Sequence, residues 1–399
     1  MDIRNPEEYI QSFLNIKTKD SRIIPLELNE PQKKLYGVIK KLRKENKPVR
    51  VIILKARQMG FSTLTEALIF HSSATRFNVN SLIVAHRDDS TSNLFQMSKL
   101  FFDELPQPLK PMVKNSNAYE LKFENPTRDP AEKKSYPGLR SRIRCVTAGG
   151  KGIGRSDTLT NIHISEYAFW EGDKKLTLSG LMQAVPSIPG TMVIMESTAN
   201  GFDDFQKMWS AAVKSESDFV PVFFGWSEMP DYRMPVPPGT KWTEGELELK
   251  AQYNLDDEQL AWRRWCIKNN CGGDERVFRQ EYPVSADEAF LTSGDGIFNN
   301  EVIIKLRDKA PKPKKIGEFT YKYDGKRITK IRFVEKENGC ISIYENPRRK
   351  YPYVIGGDTA GEGSDFFAGQ VLDNTSGKQV AVVHHKYDES YYARQMYCL

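Results

Sequence analysis

Short apolar runs alternating with amphipathic stretches organise the first half of the chain. Val51, Ile52, Ile53 and Leu54 form an unbroken run that stops at a polar turn containing Gly60, and Leu64, Leu68 and Ile69 then recur at helical spacing. Upstream, Leu35, Val38, Ile39 and Leu42 share one face of a helix opened by Asn29, Glu30, Pro31 and Gln32. Downstream, residues 80–86 predict a buried strand, followed by a helix through Asn93, Leu94, Met97 and Leu100. Residues 142–147, 161–165 and 192–195 predict three more strands, whereas 106–140, rich in Pro, Lys and Asn, predict an irregular excursion. Apolar strands alternating with helices predict an α/β fold, its mainly parallel sheet covered on both faces.

The second half changes character. Residues 230–239 (PDYRMPVPPG) read as a linker, since their proline pair forbids regular structure. A helical block follows, with Leu247, Leu249, Leu260, Trp262, Trp265, Ile267, Val277 and Phe278 as its apolar positions and its own core. Residues 311–315 read as a solvated connection. Between 319 and 345, alternation at Phe319, Tyr321, Tyr323, Ile331, Phe333, Ile341 and Ile343, with turns at Asp324-Gly325 and Asn338-Gly339, predicts a three-stranded antiparallel meander. Three further strands are predicted at 353–358, 367–373 and 379–387. The expected division is 1–235, 236–310 and 311–399.

Composition narrows the function classes modestly. The 58 Lys and Arg against 52 Asp and Glu leave a formal charge of +6, which permits contact with a polyanion without demanding it. The opening MDIRNPEEY is polar and no apolar run approaches the roughly 18 residues of a membrane span, so neither a signal peptide nor a membrane partner is expected. Five scattered cysteines without a C-x-x-C pair predict a reduced, cytosolic setting without structural zinc.

Strand, glycine turn and helix at 49–64 have the architecture of a phosphate-binding loop, in which backbone N–H groups at a helix start cradle an anion. Ser62 or Thr63 would reach a magnesium ion. In register with G-x-x-x-x-G-K-[ST], Lys55 takes the first glycine position and Phe61 the lysine position, so the phosphate cation must be Lys55 or Arg57. Gln32 is positioned to bond adenine, or is an exposed first-turn glutamine. Lys55 and His86 fall at carboxyl ends of strands, where ligands of such sheets bind. Glu166, at the tip of the 161–165 strand, can orient and deprotonate the water attacking a γ-phosphate, or be structural. That chemistry also calls for an aspartate just before the glutamate to hold the metal's waters, and Ser165 stands there. Ser197, Thr198, Ala199 and Asn200 end the 192–195 strand and can sense a γ-phosphate or make a tight turn. The loop 148–156 presents Lys151 and Arg155.

Taken in order, Gln32, residues 55–63 (KARQMGFST), 154–156 (GRS), 163–170 (HISEYAFW) and 197–201 (STANG) resemble the large terminase subunits of tailed bacteriophages. Residues 278–283 (FRQEYP) with 287–290 (DEAF) resemble that family's segment after the ATPase core, and 357–365 (GDTAGEGSD) the opening of its nuclease. The resemblance implies a P-loop (ASCE-type) ATPase, a small helical linker subdomain and the first strands of an RNase H-like nuclease that 399 residues leave incomplete. It implies a hydrolase that uses ATP and Mg2+ to translocate double-stranded viral DNA into a procapsid. A nuclease half using Mg2+ or Mn2+ would cut the concatemer. Carried over by position, Lys55, Arg57, Gln58, Gly60, Ser62 and Thr63 bind nucleotide with Gln32, Ser62 bears on the ATP-bound magnesium, and Glu166 is catalytic. Ser197, Thr198, Ala199 and Asn200 couple hydrolysis to movement. Arg155 is offered to a neighbouring subunit's ATP, and Asp358 is a nuclease metal ligand. The implied partners are the portal protein, the small terminase subunit and further copies in a ring, in the cytoplasm of an infected bacterial host. A helicase-like translocase without capsid partner and a non-enzymatic DNA-binding scaffold are the alternatives.

Overall fold

In the computed structural model of the chain, which describes residues 2–149, 158–292, 306, 309–360, 366–386 and 388–399, two units separate, 1–297 and 298–399. The first opens with α1 (Pro6–Phe13) and a small hairpin, β1 (Asn15–Lys17) and β2 (Ile23–Pro25). There follow α2 (Glu30–Lys44), β3 (Val49–Lys55), α3 (Phe61–Thr75), β4 (Asn80–Ala85) and α4 (Asp88–Glu104). Next come β5 (Asn115–Ser116), β6 (Glu120–Phe123), α5 (Pro130–Ser135), β7 (Ser141–Thr147), β8 (Asn161–Ser165), α6 (Lys174–Ala184), β9 (Met192–Ser197), α7 (Asp204–Val213) and β10 (Val220–Phe224). Four helices close the unit: α8 (Glu244–Tyr253), α9 (Asp257–Asn270), α10 (Glu275–Glu281) and α11 (Ala286–Thr292).

The sheet runs β10-β3-β9-β8-β4-β7-β6-β5, parallel from β10 to β7 and antiparallel beyond. β3 shows why it is central. Val49, Val51 and Ile53 enter one apolar layer while Ile52 and Leu54 enter the other, all seven of its residues being buried. β4 and β9 divide their side chains the same way. The mainly parallel, doubly covered sheet expected from the alternation is therefore present.

Two elements depart from expectation. The stretch 106–140 is not merely irregular: β6 alternates half-buried and buried residues, placing Leu121 and Phe123 in the core, and extends the sheet by pairing with β7. β10 escaped sequence reading because Pro221 interrupts its short apolar run, yet as an edge strand it needs a partner on one side only. The aromatic residues of the helical block also do more than pack on one another. Trp262 stacks on Trp226 at 5.3 Å and on Tyr232 at 4.2 Å between ring centroids, and with Phe278 they join the apolar layer that covers β3.

The second unit is a six-stranded antiparallel sheet in the order β12-β11-β13-β16-β15-β14, from β11 (Lys315–Asp324), β12 (Arg327–Glu335), β13 (Ile341–Ile343), β14 (Tyr353–Asp358), β15 (Phe367–Asp373) and β16 (Gln379–His385). The expected meander is corrected here. β13 pairs with β11, not with β12, because the connection crosses over β11 at two glycines: a Cβ on Gly339 would lie 2.4 Å from the Gly317 backbone. Helix α12 (Glu389–Cys398) lies on this sheet, Tyr392 donating to the Ala368 carbonyl at 2.7 Å.

Candidate nucleotide site

The parallel strands bring their carboxyl ends together at a cavity of about 530 Å³, lined by Lys55, Arg57, Gly60, Ser62, Glu166 and Thr198 among others. β3 ends in Lys55, the loop turns through Gln58 and Gly60, both at positive φ, and α3 begins at Phe61. Gly60 is required twice over. Its φ of 79° suits glycine, and a Cβ there would lie 2.7 Å from the Gln32 amide nitrogen. Phe61 turns inward, 1% exposed and 4.4 Å from Phe224 between ring centroids, so the position matching the usual lysine serves the core.

Gln32 is turned onto this loop. Its Oε1 accepts from Asn29 N at 2.9 Å, closing the capping box of α2, and its Nε2 donates to the Gly60 carbonyl at 2.6 Å. The glutamine thus fixes the loop from behind. Gln58 accepts from Lys19 Nζ at 2.7 Å, and Thr63 sits half-buried in the first turn of α3.

Lys55 Nζ lies 2.9 Å from Glu166 Oε1. Burial works against the ammonium charge, but the carboxylates of Glu166 and Glu196 outweigh it and hold the Lys55 pKa above its ordinary value. Glu166 itself has a left-handed backbone, φ 51° and ψ 48°, immediately after β8. A non-glycine residue there is held by its surroundings, and conformations of this kind cluster at functional sites. Its second oxygen faces the Ser197 hydroxyl at 3.4 Å and Thr198 N at 3.3 Å. Ala199 is buried, and Asn200 donates to the Ala168 carbonyl at 3.3 Å. The residues expected to couple hydrolysis to movement thus surround the candidate base.

Arg57 is engaged differently. Its guanidinium pairs with Glu281 at the end of α10, its N–H donates to the Glu281 carbonyl at 3.0 Å, and its own carbonyl accepts from Tyr232 at 2.6 Å. The hydrogen bond to Glu281 raises its pKa further. Both candidate phosphate cations therefore already have a carboxylate partner.

Beneath the cavity lies a buried polar line that sequence reading missed. β8 sends Ile162 and Ile164 into one apolar layer, but its other face carries Asn161, His163 and Ser165 against α3. His163 bridges Glu66 Oε1 at 2.7 Å and Glu196 Oε1 at 3.0 Å, and Ser62 donates to the same Glu196 oxygen. Burial opposes charge on His163, yet its two carboxylate contacts raise its pKa to about 9. Burial raises Glu66, whereas for Glu196 it is outweighed by Lys55, His163 and Ser62, which lower that carboxyl to about 2. The Glu66–His163 contact shares one proton, and in either placement Nε2–H donates to Glu196. The available signal was the polar, polar, polar alternation at 161, 163 and 165 inside a strand otherwise apolar.

A nucleotide-bound divalent cation fits these groups. Ser62 lines the cavity while its hydroxyl donates to Glu196 behind it, and Glu196 Oε2 is buried with no hydrogen-bond partner among the described residues. Arg155, Lys151 and Asp365 lie outside the described residues. Asp358 ends the exposed strand β14, opposite Ala368. Among the described residues no group of three or more His, Cys, Asp or Glu side chains is set to hold a metal, and no helix is long and apolar enough to cross a membrane.

No protein-family model matches the chain. Among solved structures, the large terminase of bacteriophage HK97 superposes with a TM-score of 0.53 at 14% identity, over 98% of this chain and 69% of that one. The ATPase domain of the Thermus phage P74-26 large terminase aligns over 65% of this chain and 99% of that one, at 15% identity and a TM-score of 0.40. The large terminase of a thermophilic bacteriophage, solved in complex with ATP-gamma-S, covers 93% and 73%, at 12% and 0.36. The last two scores are too low to carry weight. The HK97 likeness spans both units, and it is one of fold.

Proposed function

We propose that this chain, which has the large-terminase fold, is the ATP-hydrolysing motor subunit that drives double-stranded viral DNA into a procapsid. The observation carrying the reading is the Lys55–Glu166 pair, 2.9 Å apart beside a glycine loop at the ends of parallel strands. In this reading the triphosphate enters over the loop, and α3's first N–H groups cradle it. Lys55 exchanges Glu166 for phosphate oxygens, so nucleotide binding itself frees the base. Glu166 then takes the proton of the attacking water, its other oxygen steadied by Ser197 and Thr198. Because those residues end β9, gain or loss of the γ-phosphate is felt directly by that strand. Ser62 would hold a divalent cation, whose contribution is to neutralise phosphate charge.

The 298–399 unit is proposed as part of an RNase H-like nuclease fold: β14, β15 and β16 are consecutive antiparallel strands followed by a helix across the sheet. Asp358 would be one of its metal ligands. Portal protein, small terminase subunit and a ring of further copies are the partners of this reading, in the cytoplasm of an infected bacterium.

The test is ATP turnover with and without double-stranded DNA. Wild type should hydrolyse ATP, and Glu166→Gln should lower turnover by about two to four orders of magnitude while still binding a fluorescent ATP analogue. Wild-type hydrolysis by that variant would remove Glu166 from the mechanism.

A further inference from the structure

The site has a catalytic glutamate but Ser165 where a cation-holding carboxylate is called for. On the reading of the cavity as an ATP site, we propose that Glu196, one strand away, is the carboxylate that holds the nucleotide's divalent cation, acting together with Ser62.

β8 and β9 are parallel neighbours in register, Ser165 beside Glu196, and the two side chains meet at 3.5 Å. A carboxylate on 196 therefore reaches the space that one on 165 would occupy. The hydrogen bonding of Glu196 is divided unequally. Oε1 takes Ser62 Oγ–H and His163 Nε2–H, while Oε2, equally buried, has no partner among the described residues. A carboxylate oxygen left so costs free energy unless a donor completes it, and a coordinated water is such a donor. Ser62 links the two ends of the arrangement: by giving its proton to Glu196 it keeps its lone pairs for a cation on the cavity side. His163, fixed by Glu66, which itself accepts from Ser98 at 3.3 Å, locks the rotamer of Glu196 from the far side.

The experiment is titration of a fluorescent ATP analogue in EDTA and in excess Mg2+, with displacement by Mn2+ followed by electron paramagnetic resonance. Wild type should bind at least about tenfold more tightly with Mg2+. Glu196→Gln should keep its affinity in EDTA but lose that gain to within about threefold, and should bind Mn2+ weakly in the presence of nucleotide. Glu196→Asp, which keeps the buried charge but draws it back by one methylene, should lose part of the gain and serves if the glutamine variant misfolds. Adding Ser165→Asp to Glu196→Gln should return the Mg2+ gain, because the carboxylate is moved one strand across to the same space. A full Mg2+ gain in either single variant overturns the assignment. So does a double variant that folds and binds in EDTA without recovering the gain. Absence of nucleotide binding by wild type in both buffers would overturn the ATP-site reading and this assignment together.

Discussion

In the proposed reading, Lys55 and Phe61 divide between them what one lysine would ordinarily do. The candidate cation Lys55 ends β3, where its charge is held by Glu166 and Glu196, and the position matching the usual lysine has gone to the core against Phe224. The two substitutions should separate cleanly. Lys55→Ala is expected to weaken ATP-analogue binding at least about tenfold, the worth of one charge-assisted contact to phosphate. Phe61→Ala should instead cost about 3–5 kcal/mol of stability through the cavity it leaves, with affinity changing little where the protein remains folded. Urea unfolding beside the titration distinguishes them, and an unchanged affinity for Lys55→Ala would pass the role to Arg57. That Phe61 leaves the lysine position without a cation was legible from motif register, which kept Lys55 and Arg57 both open. The left-handed backbone of Glu166 was not, since nothing in His163-Ile-Ser-Glu166 signals φ 51°. That conformation is imposed by the hydrogen bonds closing around it.

At the scale of elements, α10 holds the phosphate loop through Glu281, on both the guanidinium and the N–H of Arg57, while Tyr232, outside that helix, bonds the Arg57 carbonyl. The segment 230–239, expected as a linker, is fastened at Tyr232 between the loop and Trp262. Release of Arg57 toward phosphate would have to break its side-chain pair with Glu281. Glu281→Gln should weaken that competition and tighten ATP-analogue binding by about twofold to fivefold, the worth of a partly exposed ion pair. Unchanged or weaker binding would exclude Arg57 as a phosphate ligand. Tyr232→Phe removes one hydrogen bond of about 1 kcal/mol and should raise proteolysis within 230–239 in nucleotide-free protein. Cleavage at the wild-type rate would show that the remaining contacts, the stack on Trp262, the Arg233–Asp256 pair and the Met234 N–H to the Glu258 carbonyl, hold the segment without that bond.

For the whole first unit, the buried Glu66–His163–Glu196 line makes stability depend on pH in a calculable direction. His163 is raised from 6.5 to about 9, so its contribution is complete below pH 6.5 and is lost as pH rises through about 9. Glu196 is lowered from 4.5 to about 2, so its contribution is complete above pH 4.5 and is lost as pH falls through about 2. Glu66, raised above 4.5 by burial, likewise loses its contribution as pH rises from 4.5, so the thermal midpoint should be highest near pH 4.5 and decline toward pH 9, the His163 share of the fall being at most about 3 kcal/mol. All six tryptophans (170, 209, 226, 242, 262 and 265) lie in this unit, so their fluorescence follows its unfolding specifically. His163→Gln should flatten the alkaline limb. A midpoint that rises from pH 6.5 to 9 in wild type would show that the bridge is not protonated as argued.

The sequence by itself determined what depends on local order: the alternation of strands and helices, the glycine turn at Gly60, the grouping of Lys55, Glu166 and Ser197 to Asn200 at strand ends, and the antiparallel strands near the carboxyl terminus. These follow from periodicity and from which end of a parallel strand carries the loop. Tertiary structure alone decided what depends on register between distant segments. It set Glu196 beside Ser165, turned Gln32 onto Gly60, bound Arg57 to Glu281, carried β13 back to β11, and gave β10 and β6 their partners. A side chain's neighbour across a sheet is chosen by hydrogen-bonded pairing of strands tens of residues apart. Shifting that register by one residue would reverse every face, a fact to which no local pattern along the chain is sensitive.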